Sequence, residues 1–396
     1  MRYLFFDIEC CNGKNICEFG YVITDTDFNI IEKDHMLINP EAKFNLTRRK
    51  GHRDLYLHYT DEQYKQSKKF HYYYKRIKEL IEYPDQIIVG HAISNDAIFL
   101  NIACKRYNLD AINFKFADTQ KMYSEFFNNR KSASIETAGE KFGISVPELL
   151  HRSDEDSLYT MKIVKAMCDN MECSLQEMIE LCGTCTGKTE NFEVEYDFHR
   201  DINSGELKNT NNDEFINKDK NFVRGKNYKL FLQFLDGVKP KGEIIKSCLT
   251  GKTLCISLNY EYTHFKEMLA IVQSLTNHGA TYKLKASLND IFVTYSEKDE
   301  NGNERTCTRN KYVNEAIQNG KQIEIISFEK LLEILDTSEQ KLQETNFPDK
   351  TSFFKKQKKP VKKQEKSNDY IDKTDTSNTL GDLFPDIFEK LRNNQE

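Results

Sequence analysis

The sequence contains no tryptophan, and no apolar run in it approaches the roughly 20 residues that a membrane-spanning helix needs. The apolar stretch at the start is short and already carries Asp7, so nothing resembles a secretory leader. No internal repeat is found. The 11 cysteines are scattered and odd in number, which excludes a simple disulfide framework and suits a reducing compartment. A strong net charge is absent too: the formal value of −5 is the sum of unevenly spread charges and says little about partners. These absences lead us to expect a soluble, cytoplasmic protein with no membrane contact.

What is present is a chain of 396 residues, too long for one ordinary core, so two domains with linkers are expected. Residues 1 to about 40 read as a strand meander, with apolar alternation in "ICEFGYVIT" and a turn at "TDTDFN". The Tyr-rich stretch "DEQYKQSKKFHYYYKRIKELIEY" is helical in spacing and closed by Pro84. Its aromatics either form a core face or stack bases among Lys and Arg. "DQIIVGH" is a short buried strand, and "SNDAIFLNIACKRYNL" a helix with Ser94 or Asn95 as cap. Two further helices, at "SIETAGEKFGI" and "HRSDEDSLYTMKIVKAMCDNM", complete an α/β domain over residues 1–175. Residues 176–235 read as a linker or insertion, rich in Asn, Asp and Lys. Residues 236–337 form a second small α/β unit, with strands at "GKTLCISLNY", "DIFVTY" and "KQIEIIS" and helices between them. A lysine-rich disordered linker follows over 338–378, and a short motif or helix over 379–396.

Asp7 and Glu9 stand at the end of a strand that is otherwise apolar. On a strand, residues i and i+2 share a face, so both carboxylates point one way while Ile8 points into the core. Two buried anions side by side are costly unless a divalent cation neutralises them, and hard oxygen ligands suit Mg²⁺ or Mn²⁺ better than zinc. Asp96 follows a buried strand, in the first turn of the next helix. Asp156 sits near the start of another helix, five residues after His151. Each has a structural reading as well: Asp96 complements a helix dipole, and Ser153 with Asp156 fits a capping box.

The order strand–Asp7-x-Glu9, strand–loop–Asp96, His151-x4-Asp156 resembles the 3′→5′ exonucleases named for their Asp-Glu-Asp-Asp carboxylates. The branch is the one whose last motif carries a histidine, which includes the epsilon proofreading subunit of bacterial replicative polymerases. "ICEFGYVITD", "HMLINP", "VGHAISNDAIFL", "FADTQKM" and "SIETAGEKFGI" fall where that family has similar segments. The resemblance covers residues 1 to about 170 and implies a ribonuclease H-like fold, a mixed sheet flanked by helices. It implies that Asp7, Glu9, Asp96 and Asp156 coordinate two divalent ions, Mg²⁺ or Mn²⁺, with His151 as general base. The family's Thr-Thr-Gly after the glutamate is replaced by Cys10-Cys11-Asn12-Gly13. Cys10 and Asn95 are the positions implied to touch the nucleic acid. The sister branch has a tyrosine three residues before the last Asp, where this chain has Ser153.

Residues 247 to about 335 resemble a BRCT domain, through "LTGKTLCIS", "HGA", "LNDIFVTY" and "YVNEAIQNGKQIEIISFEKLLEIL". In phosphate-binding members a Ser or Thr followed by Gly ends the first strand. Ser257 stands there with Leu258 after it, and Lys311 is the nearest lysine. Together the two resemblances imply a metal-dependent exonuclease acting on DNA in replication or repair, with RNA as an alternative substrate. A non-catalytic adaptor working through the second unit is the other alternative.

Three other clusters have two readings each. Cys168, Cys173, Cys182 and Cys185 are spaced either as zinc ligands or as ordinary buried cysteines. The run "KKQKKPVKKQEK" has seven Lys against one Glu, as a solvated tether or a phosphate-attracting one. Asp382, Leu383 and Phe384 reproduce the end of a sliding-clamp-binding peptide, or belong to a small amphipathic helix. "GTCTGKT" lacks the Walker spacing and is excluded as a phosphate loop.

Overall fold

The computed structural model describes residues 1–46, 57–126, 133–148, 151–200, 207–209, 230–298, 304–305 and 307–344. It divides into two units, near residue 223. The first is built on a seven-stranded mixed sheet. β1 (Arg2–Cys10), β2 (Ile16–Thr24) and β3 (Ile30–Leu37) form the antiparallel meander expected from their alternation. β4 (Gln86–Gly90) and β5 (Phe114–Asp118) continue the sheet parallel to β1. β6 (Thr186–Glu190) and β7 (Glu193–Tyr196) close it antiparallel, giving the order β3-β2-β1-β4-β5-β6-β7. The helices are α1 (Asp61–Gln66), α2 (Phe70–Ile81), α3 (Ser94–Arg106), α4 (Thr119–Phe126), α5 (Ile135–Lys141), α6 (Ser153–Met171) and α7 (Leu175–Cys182).

The two faces of β1 divide its labour. Leu4, Phe6, Ile8 and Cys10 join Phe19, Tyr21 and Ile23 of β2 in one core, closed by Phe70, Ile77 and Ile81 of α2 and Ala97 and Leu100 of α3. The opposite face carries Tyr3, Phe5, Asp7 and Glu9, as the period of two requires. There α6 lies across β1 and β2. Gly20, paired with Asp7 across the ladder, makes this approach feasible: a Cβ on it would fall 2.1 Å from the Asp154 backbone nitrogen.

Three sequence expectations are corrected in this unit. The Tyr-rich stretch is two helices, because Thr60 and Gln63 cap α1 reciprocally and Ser67 ends it in an extended conformation. Phe70, Ile77 and Ile81 of α2 face the core, whereas Tyr72 is 65 % exposed. The cap of α3 is Ile93, with Ser94 already inside the helix. Residues 176–196 are no linker, since α7, β6 and β7 complete the sheet. Beyond it, β8 (Phe198–Arg200) pairs with β9 (Leu207–Asn209).

The second unit starts with helix α8 at residues 230–237. Its sheet has four parallel strands: β10 (Thr253–Ile256), β11 (Thr281–Tyr282), β12 (Ile291–Thr294) and, after a two-stranded excursion β13 (Glu297–Lys298) and β14 (Glu304–Arg305), β15 (Glu324–Ser327). The order is β11-β10-β12-β15. Parallel neighbours need crossovers, provided here by α9 (Leu258–Thr263) with α10 (Phe265–Asn277), and by α11 (Arg309–Gln318). α12 (Phe328–Ile334) and α13 (Glu339–Glu344) follow. The strand expected over "GKTLCISLNY" ends at Ile256, and Leu258 onward is helix. α13 occupies the first residues assigned to the tether. The lysine run and Asp382, Leu383 and Phe384 lie outside the described residues. Among the described residues no helix is long and apolar enough to cross a membrane.

Candidate active site

The crevice opens where β1 and β4 part. β4 pairs with β1 only from Arg2 to Phe5, then ends at Gly90 as the chain leaves for α3. Past Phe5, β1 has lost its neighbour on that side, and one of the N–H groups so exposed is that of Ile8. Asp96 takes its place: Oδ1 accepts the Ile8 N–H at 3.2 Å. The end of a strand and the first turn of a helix thereby bring three of the four carboxylates together, at the carboxyl edge of the sheet, where open α/β sheets bind ligands.

The fourth carboxylate and the histidine come from α6. His151 precedes the helix with a φ of 68°, in the left-handed region that is uncommon for a residue with a Cβ and that clusters at functional sites. Its N–H donates to both oxygens of Asp156, at 3.3 and 3.2 Å. Its Nδ1 stands 3.7 Å from Glu9 Oε1. Glu9, His151 and Asp156 each offer one atom within 4.8 Å of the others, the one such group of possible metal ligands among the described residues.

The electrostatics of this crevice are those of uncompensated anions. Burial, then the Glu9 and Glu18 carboxylates, push the Asp7 carboxyl well above its usual range. Asp96 is driven the same way by burial and by Asp7 and Glu9. Asp156 is pushed up to about 8 by burial and Asp7, against the opposing pull of His151. Asp7 Oδ2 is also fully buried and accepts no hydrogen bond. A buried carboxylate oxygen without a donor is expensive, and a hard cation is the partner this donor set fits.

The other sequence expectations fare differently. Cys10 turns its side chain into the core under the crevice, so its thiol is no polar handle for a nucleotide. Asn95 is exposed in the first turn of α3, one residue before Asp96. Ser153 does not cap α6; the cap is Arg152, which makes no side-chain capping bond. Cys168, Cys173, Cys182 and Cys185 are all buried free thiols, and among the described residues no three of them come together as a metal group. Ser257 is buried, its hydroxyl donating to the Val293 carbonyl and accepting from the Tyr295 N–H. It therefore offers no surface for a phosphate, and Lys311 lies on α11. Two residues that sequence reasoning passed over matter here: Glu18 and Gly20, the "E" and "G" of "ICEFGYV".

The sequence profile of the exonuclease family RNase_T matches residues 4–164. No curated protein matches the chain. Among solved structures, a 3′-exonuclease recognising the 3′ end of a histone mRNA stem-loop is 16 % identical, over 54 % of this chain and 71 % of that one, with a TM-score of 0.36. The nuclease domain of 3′hExo, a DEDDh family member bound to rAMP, is 19 % identical over 43 % of this chain and 91 % of that one, at 0.33. The zinc-bound complex of Escherichia coli exonuclease I with single-stranded DNA is 16 % identical over 42 % and 40 %, at 0.33. The superpositions are low, and the family match and the crevice carry the conclusion. Residues 4–164 match the exonuclease family's sequence profile, on a mixed α/β fold that brings acidic side chains and a histidine to one crevice.

Proposed function

We propose that the protein is a metal-dependent 3′→5′ exonuclease that shortens DNA from single-stranded or frayed 3′ ends, releasing nucleoside monophosphates. The observation that carries this reading is the meeting of Asp7, Glu9, Asp96 and Asp156 with His151, from three separate segments of chain. The carboxylates would hold two divalent ions, Mg²⁺ or Mn²⁺. The chemistry such a pair supplies when bound is neutralisation of phosphate charge and activation of the attacking water.

His151 would take the proton of that water. Its Nδ1 faces Glu9, which favours the tautomer carrying hydrogen on Nδ1 and leaves Nε2 as the basic atom. The hydrogen bond from its backbone to Asp156 ties the base to a metal ligand, so the two move together. Asn95, exposed beside Asp96, would contact the terminal nucleotide.

DNA as substrate, and a role in replication or repair, are supported by the second unit. Its four parallel strands in the order β11-β10-β12-β15, with helical crossovers, suit the BRCT-like reading of residues 236–337. With Ser257 buried, such a unit would engage DNA ends or a protein surface rather than a phosphopeptide. Attachment to a sliding clamp or polymerase through Asp382, Leu383 and Phe384 is a separate proposal, tested by truncating residues 379–396 and measuring clamp affinity.

The deciding experiment incubates 5′-labelled single-stranded DNA, and the matching RNA, with Mg²⁺, Mn²⁺ or EDTA. We expect a metal-dependent ladder shortening from the 3′ end, faster on DNA and lost in Asp7→Ala. Faster shortening of RNA would reverse the substrate assignment, and cleavage of neither with any metal would overturn the catalytic one.

A further inference from the structure

Glu18 is a fully buried carboxylate in the middle of β2, directly opposite Glu9 in the β1–β2 ladder. Directly opposed residues in an antiparallel pair project from the same face, so Glu18 lies beside the crevice and under the start of α6. One oxygen, Oε1, accepts two hydrogen bonds from Ser153, from its backbone N–H at 2.9 Å and from its hydroxyl at 2.8 Å. The other, Oε2, accepts from the Tyr64 hydroxyl at 3.1 Å.

Two facts make these contacts more than packing. The first turn of a helix has N–H groups without partners, ordinarily satisfied by a capping side chain, and α6 has none from Arg152. Glu18 supplies that acceptor from the neighbouring strand. Two residues on, Gly20 holds the helix close, and the Ser157 hydroxyl donates to its carbonyl at 3.1 Å. The start of α6 is thus fixed to β2 at Ser153 and Ser157, and both functional groups flank those anchors: His151 two residues before the first, Asp156 one residue before the second.

We propose that Glu18 is a positioning residue for the nuclease site, acting through Ser153 to hold His151 and Asp156 in place against Glu9 and Asp7. This rests on the exonuclease reading above. Glu18 touches neither substrate nor reacting atoms; it fixes the frame in which they meet.

The test uses the full-length chain with Glu18→Ala, Glu18→Gln and Ser153→Ala. Turnover on 5′-labelled single-stranded DNA is measured together with binding of Mn²⁺ alone. Glu18→Ala should lower kcat and Mn²⁺ affinity each by about 10- to 100-fold, as loss of groups supporting metal ligands does, with KM for DNA within about twofold. Glu18→Gln keeps a carbonyl for Ser153 and should rescue both to within about threefold of wild type. If Glu18→Ala does not fold, Ser153→Ala, which removes only the hydroxyl donor, should lower both quantities by about 3- to 10-fold. A Glu18 that only stabilised the fold would lower the melting temperature and leave the kcat and Mn²⁺ affinity of the folded protein unchanged, which would overturn the proposal. So would a Glu18→Gln as impaired as Glu18→Ala. Wild-type protein that binds Mn²⁺ but cleaves nothing would sink the nuclease reading alone, and weaker Mn²⁺ binding by Glu18→Ala would then still establish the positioning.

Discussion

His151 Nδ1 lies 3.7 Å from Glu9 Oε1, though the two residues are separated by most of the domain's sequence. One is held by a left-handed turn ahead of α6, the other by β1, an interior strand of the sheet. That distance is set by how α6 sits on β2, and the proton acceptor proposed for His151 is useful only if both elements stay put. Replacing His151 by Ala or Gln should lower kcat by about 10²- to 10⁴-fold, the usual contribution of a general base. Mn²⁺ affinity should change far less, because the carboxylates remain. Single-turnover kinetics and calorimetric Mn²⁺ titration on the same preparation separate the two effects.

The metal-free protein should be less stable in alkali than in mild acid, as far as this crevice is concerned. The carboxyls of Asp7, Asp96 and Asp156 are raised in the folded state above their unfolded values near 4, so the fold holds protons there that the unfolded chain has released. Their contribution is fully present below about pH 4 and is lost as pH rises toward the value of about 8 for Asp156. Mg²⁺ should therefore raise the melting temperature more at pH 8 than at pH 5.5. Thermal melts with Mg²⁺ or EDTA at both values check it, and an increment larger at pH 5.5 would contradict the sign.

Asp7→Asn should abolish activity while stabilising the metal-free protein. It replaces a carboxyl that the fold must keep protonated among crowded acids, and gives the buried Oδ2 position an amide that can donate. A gain of about 1–2 kcal/mol, or a few degrees in melting temperature, is expected in EDTA. Added Mg²⁺ should then stabilise the variant less than wild type.

Gly20→Ala should do the reverse and harm fold and site together. The added methyl meets backbone atoms of Ser153 and Asp154, which cannot swing aside as a side chain tip would. A loss of about 1–3 kcal/mol by urea denaturation is expected, with kcat falling because α6 must lift.

In the second unit the buried Arg309 guanidinium pairs with Glu261 at 2.8 and 3.1 Å, and the Tyr282 hydroxyl donates to the same carboxylate. Arg309→Ala would strand a buried anion and should cost about 3–5 kcal/mol. Hydrogen exchange should then show lost protection in β10 and β12.

The sequence made β1 and its acids legible because an apolar strand tolerates carboxylates only with a purpose, and the ordered spacing of Asp96, His151 and Asp156 added to that. It hid β6 and β7: "TGKTE" buries only Gly187 and Thr189, and the apolar alternation of Val194 and Tyr196 in "EVEY" is too short to betray a strand. Local rules also gave way to tertiary contacts. Ser153 has the right neighbours for a capping box, yet Glu18 from a distant strand claims both its N–H and its hydroxyl. Glu18 itself looked like one charge in a strand, and only the fold shows it fully enclosed.

Asp96 does two jobs, and one of them survives loss of charge. Asparagine at this position keeps a carbonyl oxygen for the Ile8 N–H that Oδ1 accepts, so the strand end stays closed while the carboxylate is gone. On the exonuclease reading proposed above, Asp96→Asn is a natural bait: a protein with the crevice intact and cleavage removed, expected to hold the nucleic acid strands it would otherwise shorten and to report their identity when recovered from cells.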